Sequence, residues 1–231
     1  KTLTIESGGS LELGKQNKFV PRNLKTVGLD IDDNPVDSGV KNYGDIQIFG
    51  DVYSNAGVQS KGHKFINESG ASLLVGAGGW IKFDGKFENE GYVNNYGVVE
   101  LTALDNKSSN FFANYYGGEI DLYGALSLKR KEFESFNNSG TFTVFSGGEL
   151  EVERTKQRDS RYTNYVDINN KGSLVIEAGG EMRMKQSAAN STGNGQAAKL
   201  SNVGTVSNSG YVLNESGQSI STYSYTHLPV H

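Results

Sequence analysis

The side chains best suited to chemistry in this sequence are carboxylates. Glu149, Glu151 and Glu153 alternate along one run, and Glu177 and Glu181 follow a turn later. Two carboxylates at a set separation are what glycosidic-bond cleavage requires. Alternation also has a plainer meaning, because in an extended chain it places all three acids on one solvent face. A second group, Asp30-x-Asp32-x-Asn34, matches the first three oxygen positions of an EF-hand loop. Pro35 stands where that loop needs glycine and Lys41 where it needs glutamate, so an EF-hand is excluded. The expectation left is a looser calcium site in an acidic loop, on Asp30, Asp32 and Asn34.

Other chemistries lack their residues. The chain has no cysteine, hence no thiolate nucleophile and no disulfide framework. Its histidines are His63, in a Lys-Gly-His-Lys loop, and the terminal pair His227 and His231. Leu228-Pro229 disfavours the helix that would align that pair on a zinc ion. No nucleophile elbow and no phosphate-binding loop occur. Gly193-Asn-Gly-Gln-Ala-Ala198 lacks the strand–helix setting of a dinucleotide turn. The expectation is a protein that is not an enzyme and that holds no cofactor beyond calcium.

The strongest binding signal is the segment with Arg154, Lys156, Arg158, Arg161, Tyr162 and Tyr165. Arginine and tyrosine anchor interfaces, and this set suits an anionic glycan or a partner subunit. The formal net charge of −4 argues against nucleic acid. Apolar runs such as Leu73–Val75 are far too short for a membrane helix. Asn-x-Ser/Thr triplets at Asn67, Asn106, Asn137, Asn190 and Asn214 are about what chance gives in a chain so rich in these residues.

These residues sit in a repeating frame. Asparagine and glycine recur together at Asn67/Gly70, Asn89/Gly91, Asn114/Gly117, Asn138/Gly140, Asn170/Gly172 and Asn202/Gly204. Each pair precedes an alternating run, then often a Gly-Gly, then a second alternating run. Thr141–Phe145, Ser146-Gly-Gly148 and Glu149–Arg154 make one such unit. Period-two runs of four to six residues, with no 3.6-residue period, predict strands and almost no helix. Because the turn chemistry recurs at the same place in each unit, the runs predict an all-β parallel β-helix (β-solenoid) of about eight coils. At roughly 4.8 Å per strand its length is about 40 Å. Corner residues tolerant of positive φ are the expected reason for the asparagines and glycines, with asparagines stacked in a ladder.

Glycine, 30 of 231 residues, is about 13 % against a usual 7 % or so, as repeated corners require. Proline, with 3, stays outside the repeats because it would remove a ladder donor. Insertions fall after the second run: Asp84-Gly85, Asp105–Asn110, Lys129–Glu132, Thr155–Asn164 and Gln186–Ala198. They predict variable loops at one corner, and so one binding face. The organisation expected is residues 1–39 as strands and the acidic loop, 40–217 as repeats, and 218–231 as a C-terminal strand and tail.

Phe136-Asn-Asn-Ser-Gly-Thr-Phe-Thr-Val-Phe-Ser-Gly-Gly-Glu-Leu-Glu-Val152 and Ile168–Met182 resemble the β-solenoid repeats of bacterial surface adhesins. Autotransporter passengers and filamentous-haemagglutinin-like adhesins carry such units. The resemblance implies an extracellular or cell-surface, non-enzymatic structural or adhesive protein of bacterial type. Its partners would be a glycan or cell-surface molecule, and a second copy joined end to end into fibres through terminal coils. A polysaccharide-binding or polysaccharide-degrading β-helix of phage-tail or lyase type is the alternative.

Overall fold

The computed structural model describes residues 2–7, 10–13, 29–32, 39–54, 63–102, 110–130, 135–154, 166–186, 198–214 and 221–222. Every regular element among them is a strand. The chain winds as a parallel β-helix with three sheets. Each coil therefore has three strands, one more than the alternating runs suggested. The additional strand is the short segment that ends on the asparagine.

The middle sheet stacks Thr2–Ile5, Asp45–Ile48, Ser72–Val75, Tyr92–Asn95, Glu119–Leu122, Thr141–Val144, Ser173–Ile176 and Thr205–Asn208, in chain order and all parallel. A second sheet, here the charged sheet, runs from Ser10–Leu13 through Asp51–Ser54, Trp80–Asn89, Val98–Thr102, Ala125–Arg130, Glu149–Arg154 and Glu181–Gln186 to Tyr211–Asn214. The third, the asparagine sheet, stacks Gly39–Asn42, His63–Asn67, Trp80–Asn89 again, Asn110–Asn114, Ser135–Asn138, Val166–Asn170, Ala198–Asn202 and Ser221–Thr222. Trp80–Asn89 serves two sheets: Asp84-Gly85, expected as an insertion, is too short to form a loop, and one continuous strand turns the corner there.

The period-two pattern sets which side chains face in. Ile46, Leu73, Val93, Ile120, Phe142, Leu174 and Val206 form one buried column of the middle sheet. Ile81, Val99, Leu126, Leu150 and Met182 form another beneath the charged sheet. Beneath the asparagine sheet, Phe65, Phe87, Phe112 and Phe136 stack with centroids 5.4, 5.5 and 4.9 Å apart. Such pairs add about 0.5–1.5 kcal/mol each beyond the area they bury. Ile168 and Leu200 continue the column.

Part of the expected acidic loop is a strand. Leu29–Asp32 is a strand, antiparallel to Gly39–Asn42, with Asp30 opposite Lys41 and Asp32 opposite Gly39. Asp30 and Asp32 are thus strand residues, and Asn34 lies outside the described residues. His63 opens a strand rather than sitting in a loop.

Candidate functional site

The recurring asparagines are the last residues of the asparagine-sheet strands, and their side chains turn inward. Asn42, Asn67, Asn89, Asn114, Asn138, Asn170 and Asn202 are all essentially inaccessible to solvent. Each Nδ2 donates to the Oδ1 of the next: 2.8 Å from Asn42 to Asn67, 2.8 Å to Asn89, 2.8 Å to Asn114, 2.9 Å to Asn138, 2.7 Å to Asn170 and 2.6 Å to Asn202. The second amide proton reaches a main-chain carbonyl of the following coil. Asn42 donates to Ser72, Asn67 to Tyr92, Asn114 to Thr141, Asn138 to Ser173 and Asn170 to Thr205. A buried amide is tolerated only when its hydrogen-bonding groups are paired, and this stack pairs them coil by coil. Asn67, within an Asn-x-Ser triplet, is therefore closed to glycosylation in the folded chain.

Four of the six glycines paired with these asparagines have a different cause from the one expected. Of the six, Gly70 and Gly117 have positive φ, at 79° and 84°. Gly91, Gly140, Gly172 and Gly204 do not need it. They pack against the preceding coil so closely that a Cβ on Gly140 would lie 2.1 Å from the Gly118 carbonyl oxygen, and one on Gly172 2.1 Å from that of Gly140. Glycine is required there because backbone meets backbone.

The next corner, between the middle and charged sheets, carries Asn-x-Gly only twice. Asn95 bonds the Gly97 N–H at 3.0 Å and the Ala125 carbonyl at 2.8 Å. Its neighbours in register are Val75 and Leu122, so no amide stands above or below it. Outside this corner lies an aromatic column. Tyr96 and Tyr123 stack at 4.5 Å, and Tyr123 and Phe145 at 4.3 Å. The Phe49 ring lies over Gly76, where a side chain would collide with it.

The alternating acids occupy the outer face of the charged sheet. Register sets Glu149 beside Glu181, Glu151 beside Arg183 and Glu153 beside Lys185. Lys185 reaches Glu151 at 2.5 Å, and Arg183 bonds Glu181 and approaches Glu149 at 3.4 Å. The hydrogen bond from Arg183 holds the Glu181 carboxyl below its ordinary range, against a smaller opposing effect of burial. On the middle sheet Asp121 is shifted the other way, raised first by desolvation and then by Glu119. Glu149 and Glu151, the best candidates for carbohydrate chemistry, are thus engaged with cations of the next coil.

Of the expected binding segment, Arg154 ends the strand Glu149–Arg154. Lys156, Arg158, Arg161, Tyr162 and Tyr165 lie outside the described residues, as do His227 and His231. Among the described residues no cluster of three or more acids and histidines is placed to hold a metal ion. No described helix is long and apolar enough to cross a membrane. The third strand and the burial of the asparagines escaped the sequence reading. The aromatic or aliphatic residue two positions before most of the asparagines, as in Phe87, Phe112, Phe136, Ile168 and Leu200, was the signal for both.

No protein family, curated protein or solved structure matches the chain.

Proposed function

We propose that this chain is a non-enzymatic structural or adhesive module that works outside the cell or on its surface. The observation that carries the reading is the seven-residue asparagine ladder, which runs unbroken from Asn42 to Asn202. It ties successive coils together inside the rod. A rod of this kind holds loops at fixed intervals along one corner, the arrangement repeat proteins use for binding faces. The segment from Arg154 to Tyr165 follows a charged-sheet strand in sequence and carries side chains suited to an anionic glycan or a cell-surface partner. Self-association through terminal coils, by addition of a strand from a second copy, is the assembly that parallel stacking of this kind suits.

Binding of the intact protein to an array of acidic and neutral glycans tests the adhesive role, with sedimentation and electron microscopy for assembly. Retention of acidic glycans, lost when Arg158 and Arg161 are both replaced by alanine, is the expected result. Turnover of any polysaccharide in a panel would overturn the reading in favour of a carbohydrate-active β-helix.

A further inference from the structure

Tyr96 and Tyr123 occupy equivalent positions one coil apart. The Tyr96 N–H bonds the Val75 carbonyl and the Tyr123 N–H bonds the Asn95 carbonyl, the same step of the winding. Their rings inherit this register, with centroids 4.5 Å apart and planes within 3°. Tyr96 is 48 % exposed, so a reagent in solvent reaches the pair. The opposite face of Tyr123 is covered by Phe145, which carries no phenol. Among the described residues no other two tyrosines have stacked rings; Tyr116, at 91 % exposure the most open, has none against it.

We propose that Tyr96 and Tyr123 form an oxidative modification site, at which a one-electron oxidant of the peroxidase class joins the two rings through a carbon–carbon bond. Each phenol loses one electron and one proton to give a phenoxyl radical. The radicals combine through the ring carbons ortho to oxygen, and the two ring hydrogens there move to the oxygens as aromaticity returns. The protein loses two electrons and two protons in all, and one hydrogen peroxide accepts them to become two waters. Fixing two reactants face to face replaces a bimolecular encounter by an intramolecular one, which favours this pair over exposed tyrosines. Adjacent strands lie about 4.8 Å apart, and the two rings already approach to 4.5 Å between centroids. The product would be a covalent staple between successive coils in a chain without cysteine. This inference stands independently of the adhesive reading.

The test is treatment of the purified full chain with a haem peroxidase and hydrogen peroxide. The expected product is a monomer lighter by two hydrogens, with blue dityrosine emission and one proteolytic cross-link joining Tyr96 to Tyr123. Tyr96→Phe and Tyr123→Phe each lower that emission at least tenfold, while Tyr92→Phe, in the same coil, leaves it unchanged. Both phenylalanine variants keep the stack, and unchanged melting curves verify that they fold. Emission that survives in Tyr96→Phe, a cross-link mapped to other tyrosines, or covalent dimers as the main product would overturn the proposal. So would the absence of any product under conditions that couple a free tyrosine peptide.

Discussion

Two corners of the same coil use the same three letters to different ends. At the corner between the asparagine and middle sheets, Asn-x-Gly or its longer form recurs in seven successive coils, and the amides bond one another along the whole rod. At the corner between the middle and charged sheets, Asn95-Tyr-Gly97 and Asn208-Ser-Gly210 stand alone among aliphatic neighbours; each closes its own turn, and Asn95 reaches the next coil only through the Ala125 carbonyl, with no amide partner there. An asparagine becomes a rung when the coils above and below supply asparagine in register. Without them it is a local clasp. The function of the residue resides in the column rather than in the motif.

The largest effect expected from breaking this contrast is at mid-ladder. Asn138→Leu removes bonds to Asn114, Asn170 and the Ser173 carbonyl at once. The groups left unsatisfied in the interior should cost about 4 kcal/mol in all. Asn95→Leu loses only the Gly97 and Ala125 contacts and gains aliphatic neighbours around an apolar gap of about 20 Å³. Its expected cost is about 1 kcal/mol. Denaturant unfolding of both variants decides the matter, and equal losses would erase the distinction between rung and clasp.

A smaller difference is expected between glycines of the two corners. Gly172→Ala drives a methyl against the Gly140 carbonyl and should cost about 3 kcal/mol through backbone displacement. At Gly78, where φ is +84° and nothing stands within 4 Å, alanine meets only the left-handed backbone penalty, about 1–2 kcal/mol. Thermal melts of the two alanine variants would measure the gap.

Between the outer and inner aromatic columns the expected difference is of similar size. Phe136→Ala opens a cavity in the core and should cost about 3–5 kcal/mol. Phe145→Ala, on the half-exposed column, removes one stacked face of Tyr123 and should cost about 1–2 kcal/mol. Since both stacks share nearly parallel rings, this pair separates burial from stacking.

The smallest effects compare the two outer faces through pH. The folded-state pKa of Glu181 is lowered, so its contribution is present above the ordinary carboxylate range and disappears as pH falls through the folded value. For Asp121 the folded value is raised, so ionisation is disfavoured in the folded chain and stability declines as pH rises through that range. Glu181→Gln should therefore lower the neutral-pH melting temperature and flatten its acid limb, whereas Asp121→Asn should raise it. Exposure keeps both effects to a degree or two, and salt reduces the first. Shifts of the same sign in the two variants would contradict these assignments.

Much of the winding was readable from the chain itself. Val98–Leu104, Thr141–Phe145, Glu149–Arg154 and Ser173–Glu177 were placed within two residues or better, because a period-two alternation bounded by glycine has few other solutions. The asparagine-sheet strands were not, since segments such as Ser135–Asn138 are too short to display a period. Leu29–Asp32 was expected as a loop because its aspartates suggested oxygen ligands more strongly than four residues can suggest a strand.

By itself, then, the sequence determined a repetitive all-β winding, its turn positions and the corner at which insertions enter. These are local matters of alternation, turn chemistry and spacing. Only the tertiary structure decided which atoms meet across coils: that seven asparagines stack inside, that Gly140, Gly172 and Gly204 are forced by backbone contact, that acids at 149 and 151 find cations at 183 and 185, and that two tyrosines lie face to face. Residues 22 to 35 positions apart become neighbours when insertions of unequal length are looped out, and that registration is set by packing along the axis rather than by any local rule.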